Sequence, residues 1–136
     1  MDKKQTVLLV DDDAALRRAL SDALASEGIA VFQAANGIEG LAVAMREHPE
    51  IILLDLLMPV MGGLDMLTEL RKDKWGEKAF VTLLTNSSEY HNVAGAVELG
   101  VKDYLIKSDW DILDLVRKVQ EKIEELKEKS TWHLTE

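Results

Sequence analysis

Residues 51–54 (Ile51, Ile52, Leu53, Leu54) form an unbroken aliphatic run that ends on one carboxylate, Asp55. Leu56, Leu57 and Met58 follow, and then Pro59, Gly62 and Gly63 break the chain. A run that is apolar at every position cannot keep one face in water. It reads as a strand covered on both sides, as in a parallel sheet. In open sheets of this kind the chemistry lies in the crevice beyond the carboxyl ends of the strands. That places Asp55 where such a protein acts. The ordinary alternative is a polar residue that merely ends a strand, and the rest of the chain decides between them.

Four more segments read as strands: 6–10, 30–34, 80–84 and 101–106. Helical patterns separate them. Asp11-Asp12-Asp13 leads into a helix with Leu16, Leu20 and Leu24 on its apolar stripe, closed by Gly28. Asn36 and Glu39 open a second helix in capping-box fashion, and it ends before Pro49. Further helices are expected over about 64–72, over about 88–99 up to Gly100, and in a long last stretch opened by Ser108 with Asp111 three residues on. Strand and helix in regular alternation imply an α/β doubly wound parallel sheet of five strands with five helices. The first, third and fourth strands are the greasiest and belong in the middle. Gln33, Lys102 and Asp103 mark the second and fifth as edges. The order is then 2-1-3-4-5, a flavodoxin-like arrangement with its switch point between strands one and three.

The chain's 136 residues suffice for one domain, expected over 1–129 with 130–136 as a C-terminal tail. The absence of cysteine excludes disulfides and thiolate metal sites. A net charge of −9 argues against direct binding to nucleic acid or to an anionic membrane surface. No apolar run reaches membrane-spanning length and the start is too short for a signal core, so a cytoplasmic protein is expected.

In the 2-1-3-4-5 order, Asp11-Asp12-Asp13, Asp55, Thr85 and Lys107 converge on one mouth. One aspartate is needed to cap a helix; three in a row are not. Carboxylates packed beside Asp55 repel one another unless a cation sits among them, and Mg²⁺ with its preference for oxygen ligands answers that need. Lys107 can pair with Asp55 or with a phosphoryl oxygen. The Thr85 hydroxyl points into the same pocket, and Tyr104 is an edge aromatic that could alternate between exposed and buried positions.

This set of motifs resembles the receiver domain of response regulators over about residues 5–121. Val7-Leu8-Leu9-Val10-Asp11-Asp12-Asp13 looks like its opening. Asp55 to Gly63 matches its D-x-x-M-P-x-M-x-G pattern, and Thr85, Tyr104 and Lys107 match the rest. The resemblance implies that Asp55 accepts a phosphoryl group from a sensor histidine kinase or phosphotransfer protein. It implies that Asp11, Asp12, Asp55 and the backbone carbonyl of Leu57 hold Mg²⁺. By the same match Thr85 and Tyr104 are a switch pair, Lys107 is the pocket lysine, and the surface of helix four, strand five and helix five meets a downstream protein or an output domain.

The chain departs from the family pattern in three places. Ser108 stands where proline usually follows the lysine in a cis bond, and a cis bond before serine costs about 3 kcal/mol. Asn86 replaces a residue that is often small, and Leu57 is apolar beside the expected phosphoryl group. On the last helix Ile112, Val116, Val119, Ile123 and Leu126 form a stripe. Its last two members are expected to lie beyond the sheet, where they could pair with a partner or a second copy. Two rivals remain. One is a haloacid-dehalogenase-type phosphatase using Asp11-x-Asp13, which leaves the 55–63 loop unexplained. The other is a receiver-like docking domain that is never phosphorylated.

Overall fold

The computed structural model describes residues 4–86 and 91–135, with side chains as far as Lys129. Its elements are β1 (Thr6–Val10), α1 (Ala14–Ser26), β2 (Ala30–Ala34), α2 (Gly37–Glu47), β3 (Ile51–Leu54), α3 (Gly63–Leu70), β4 (Val81–Thr85), α4 (Val93–Glu98), β5 (Asp103–Ile106) and α5 (Ile112–Thr135). Single 3₁₀ turns at Gly76–Lys78 and Lys107–Asp109 precede β4 and α5. All five strands run parallel in the order β2-β1-β3-β4-β5, as expected.

Side-chain parity explains why the middle strands are almost wholly apolar. Leu8, Val10, Ile52, Leu54 and Leu83 point to one face, where they meet Ala44 of α2, Met66, Leu67 and Leu70 of α3, and Ala96 of α4. Val7, Leu9, Ile51, Leu53 and Leu84 point to the other, against Leu20 and Leu24 of α1 and Leu115, Val116 and Val119 of α5. Each fully buried leucine contributes about 1.5–3 kcal/mol. Thr82, the polar residue inside β4, donates its hydroxyl to the Asp103 carboxylate at 3.3 Å, and β3 carries no polar residue until its end. Asp55 is that end.

Local caps set the helix boundaries. The Asp13 carboxylate accepts the Leu16 N–H at 3.1 Å, so of the three leading aspartates the third is the cap of α1. Gly28 follows that helix at φ 84°, the left-handed region where glycine has no steric penalty. Asn36 caps α2 by accepting from Glu39 N–H at 3.0 Å, and its own amide donates to the Glu39 carboxylate at 2.9 Å.

Several boundaries differ from the sequence reading. β4 is shifted by one residue and contains Thr85, while β5 begins only at Asp103. α3 covers Gly63–Leu70 rather than reaching Lys72. The expected start of the fourth helix at Ser88 lies outside the described residues. Ser108 does not cap the last helix. It sits in the 3₁₀ turn, and Asp111 caps instead by accepting the Asp114 N–H at 2.9 Å. The 3₁₀ turn at Lys107–Asp109 takes up Ser108 before α5 begins. α5 then runs unbroken to Thr135, through the segment expected to be a tail. Ile123 does not lie beyond the sheet: it is 4% exposed and packed with Val7 and Leu9 in the α1–α5 layer, with Leu126 half-buried against it. α5 crosses the sheet toward the amino ends of the strands, so its second half still covers core.

Candidate functional site

The ladder carries two carboxylates one residue past their strands. Asp11 N–H donates to the Ala34 carbonyl and Asp55 N–H to the Val10 carbonyl, each at 3.0 Å. Both backbones are therefore fixed at the sheet's carboxyl edge. Asp11 is fully buried and Asp55 is 2% exposed, whereas Asp12 is exposed. Carboxylate oxygens of Asp11, Asp12 and Asp55 lie within 4.8 Å of one another.

Lys107 enters from the end of β5. Its Nζ is 2.8 Å from Asp11 Oδ2 and 3.5 Å from Asp55 Oδ2, so in this state its tighter partner is Asp11. Burial pulls the ammonium pKa down, but the hydrogen bond and charge of Asp11, and then Asp55, outweigh it and the net shift is upward. Two like charges at about 4 Å repel by roughly 4 kcal/mol at an effective dielectric constant near 20. One ammonium against three carboxylates leaves two negative charges. A single divalent cation with a preference for oxygen ligands matches both that charge and that donor set, so the three carboxylates can hold a metal ion.

The loop from Asp55 to Gly63 is closed on itself. Gly63 N–H donates to the Leu56 carbonyl and Met61 N–H to the Pro59 carbonyl, both at 2.8 Å. A Cβ at Gly63 would stand 2.5 Å from the Asp55 carbonyl oxygen and 2.9 Å from Leu56 Cα. Glycine is needed there for close backbone approach. Gly63→Ala should lower stability by about 2 kcal/mol in urea unfolding and slow any reaction at Asp55, because the clash falls on the loop holding it. Val60, 78% exposed, takes φ 71°, an uncommon conformation for a β-branched residue and a local strain beside the site. Leu57 is 56% exposed on the same loop.

Thr85 is fully buried at the end of β4, and its Oγ1 has no hydrogen-bond partner among the described residues. Tyr104 is 40% exposed. Leu83 pairs with Tyr104 and Thr85 with Ile106, so by parity Thr85 and Tyr104 lie on the same face of adjacent strands. Asn86 is exposed just beyond Thr85. The Lys107–Ser108 peptide bond is trans, as is every other peptide bond among the described residues.

Arg17 is a participant the sequence reading missed. Its Nη1 donates to the Asp11 carbonyl at 2.6 Å and its Nε to Gln33 Oε1 at 3.3 Å, while the Gln33 amide reaches Ser21 Oγ at 3.1 Å. This chain of bonds ties the β1–α1 turn to the edge strand. The only sequence signal was a basic residue one turn into a helix that begins beside acidic groups, which solvated helix faces show constantly.

Among the described residues no helix is long and apolar enough to cross a membrane. A family model described as the response regulator receiver domain matches residues 7–120. A probable transcriptional regulator, ycf27, of Porphyridium aerugineum is 37% identical over 105 residues, which are 77% of this chain and 42% of the relative. Regulatory protein AtoC of Escherichia coli strain K12 is 36% identical over 111 residues, 81% of this chain and 24% of the relative. The chain thus spans less than half the length of these relatives. A CheY-like receiver domain protein from Methanospirillum hungatei JF-1 superposes with a TM-score of 0.82 at 28% identity, covering 93% of this chain and 99% of that one. Chemotaxis response regulator CheY4 of Vibrio cholerae gives 0.78 at 27% identity, covering 88% and 98%.

Proposed function

The chain belongs to the response-regulator receiver family, and from that premise we propose that Asp55 is the phosphoacceptor of a two-component relay. The observation that carries this reading is a buried Asp55 carboxylate clustered with two others and reached by the Lys107 ammonium. An Asp55 oxygen forms the new bond to phosphorus as the bond from phosphorus to the donor's histidine nitrogen breaks. The electron pair leaves with the imidazole of a sensor histidine kinase or phosphotransfer protein. Asp11, Asp12, Asp55 and the Leu57 backbone carbonyl would hold Mg²⁺, which when bound neutralises charge on the transferring oxygens. Lys107 supplies the opposing positive charge and can pass from Asp11 toward the new phosphoryl group.

The buried Thr85 hydroxyl, with no partner among the described residues, supplies the donor for one phosphoryl oxygen. Its movement frees space that Tyr104, on the same face, can enter. That shifts the population of states at the α4–β5–α5 surface, where a downstream protein or an output domain binds. The protein is then a signalling domain, cytoplasmic with its kinase, that catalyses only its own phosphorylation and slow dephosphorylation. Asp13 is committed to capping α1, which speaks against the rival phosphatase reading.

Incubation with acetyl phosphate tests the assignment: intact mass should rise by one phosphoryl group with Mg²⁺ and remain unchanged without it. Thr85→Val tests the switch. Removing a buried hydroxyl with no partner should change resting stability by less than about 1 kcal/mol. The variant should still be phosphorylated, yet the Tyr104 chemical shifts that respond in the parent protein should stay still. A full response of Tyr104 in the variant would remove Thr85 from the switch.

A further inference from the structure

At the pole opposite Asp55 a groove of about 410 Å³ opens between the start of β4, the residues before β5 and the second half of α5. Five residues of β4 separate the two poles, about 15 Å at strand rise. Phe80 and Leu126, both half-buried, make its apolar floor, and Arg71, Lys78, Lys102 and Lys129 stand around it. Glu77 is the one acidic residue in the lining. This is a basic site on a chain whose net charge is −9.

The cations are available. Among the described residues none of the four forms an ion pair, whereas Arg46, Lys72, Lys107, Arg117, Lys118, Lys122 and Lys127 all do. Lys129 stands one helical turn from Glu125 on α5, and its charge is a minor contributor to holding that carboxyl below its ordinary value. Arg71 is held in place by carbonyls: Nε donates to Leu99 at 2.7 Å and Nη1 to Gly76 and Ala79 at 2.8 Å each. None of those bonds uses Nη2.

The surroundings choose between kinds of anion. A compact phosphate is held by helix N-termini or nests of backbone amides. Here the nearby helix ends are the C-termini of α3 and α4, capped at Arg71 and Leu99, and their carbonyls disfavour concentrated negative charge. The cations also come from four separate places in the chain and ring an apolar floor rather than converging on a point. Carboxylates spaced along a peptide, with an apolar side chain between them, suit that layout. We propose that this groove docks an acidic, leucine-containing peptide segment of a partner protein. The groove includes none of the residues clustered at Asp55, so an occupant makes no contact with the phosphoryl group. A partner tethered there meets the phosphorylation-sensitive surface at raised effective concentration.

The test uses the full chain, ¹⁵N-labelled, and a fluorescein-labelled decapeptide with two leucines flanked by glutamates. The expected result is saturable binding at low salt that weakens as salt rises, with amide shifts at Lys78, Val81 and Lys102. Lys78→Glu combined with Lys102→Glu should weaken binding roughly tenfold or more, with the circular dichroism and the acetyl phosphate reaction unchanged. Absence of saturable binding at low salt would overturn the proposal, as would equal affinity in the double variant or shifts confined to other surfaces. ATP shifting the same amides at lower concentration than the peptide would overturn the peptide as occupant.

Discussion

Asp55→Asn should take up no phosphoryl group from acetyl phosphate under any Mg²⁺ concentration, while the parent protein takes up one. The side chain is nearly the same size, so the 2% exposed pocket keeps its packing and the amide simply cannot act as the nucleophile. The substitution also removes one of three mutually repelling carboxylates, and the variant should therefore unfold at no lower urea concentration than the parent. That second readout separates lost chemistry from lost structure. Mg²⁺ affinity should fall in parallel, because one of the clustered oxygen donors becomes a neutral amide. Mass uptake by the variant equal to the parent's would place the acceptor elsewhere and overturn the functional reading.

Lys107→Met carries the largest expected effect on stability. The Lys107 side chain is 12% exposed and its partner Asp11 is 1% exposed, so the variant leaves a buried carboxylate without its cation. Breaking such a pair from one side costs about 3 kcal/mol. The raised Lys107 pKa fixes the pH window. A lysine raised on folding contributes stability that is complete below its unfolded pKa and is lost as pH climbs through the higher folded one. The difference between parent and variant should thus be constant from about pH 6 to pH 9 and shrink only under strongly alkaline conditions. Added Mg²⁺ should restore more stability to the variant than to the parent, since the ammonium no longer competes for Asp11. Phosphorylation should nevertheless be slower, because the charge opposite the metal site is gone. A variant that is as stable as the parent at neutral pH would show that the Asp11 pairing contributes little.

Much of this was legible beforehand, for reasons that differ from residue to residue. The aliphatic character of 7–10 and 51–54, and the nearly continuous run 80–84 interrupted only by Thr82, required burial on both faces, as a parallel sheet sandwiched by helices provides. Strand order followed from the polar residues that edge strands tolerate. Asp11 and Asp55 each follow a strand whose carboxyl end is read from the apolar run before it, and Lys107 follows a strand that its polar residues mark as an edge. Helix five was less legible. Its stripe continues past any sheet-sized length, and nothing in its spacing says whether Ile123 meets the chain's own core or another molecule.

The sequence by itself determined the parallel α/β class, the strand order and the group of residues at one mouth, because burial and periodicity are local properties of the chain. Tertiary structure alone decided that Lys107 sits closer to Asp11 than to Asp55 and that Asp111 rather than Ser108 caps α5. It alone brought Arg17 to the Asp11 carbonyl and buried Ile123 of α5 against the sheet. These outcomes depend on the angle at which a helix crosses the sheet and on distances between residues far apart in the chain, which no pattern along one strand or helix encodes.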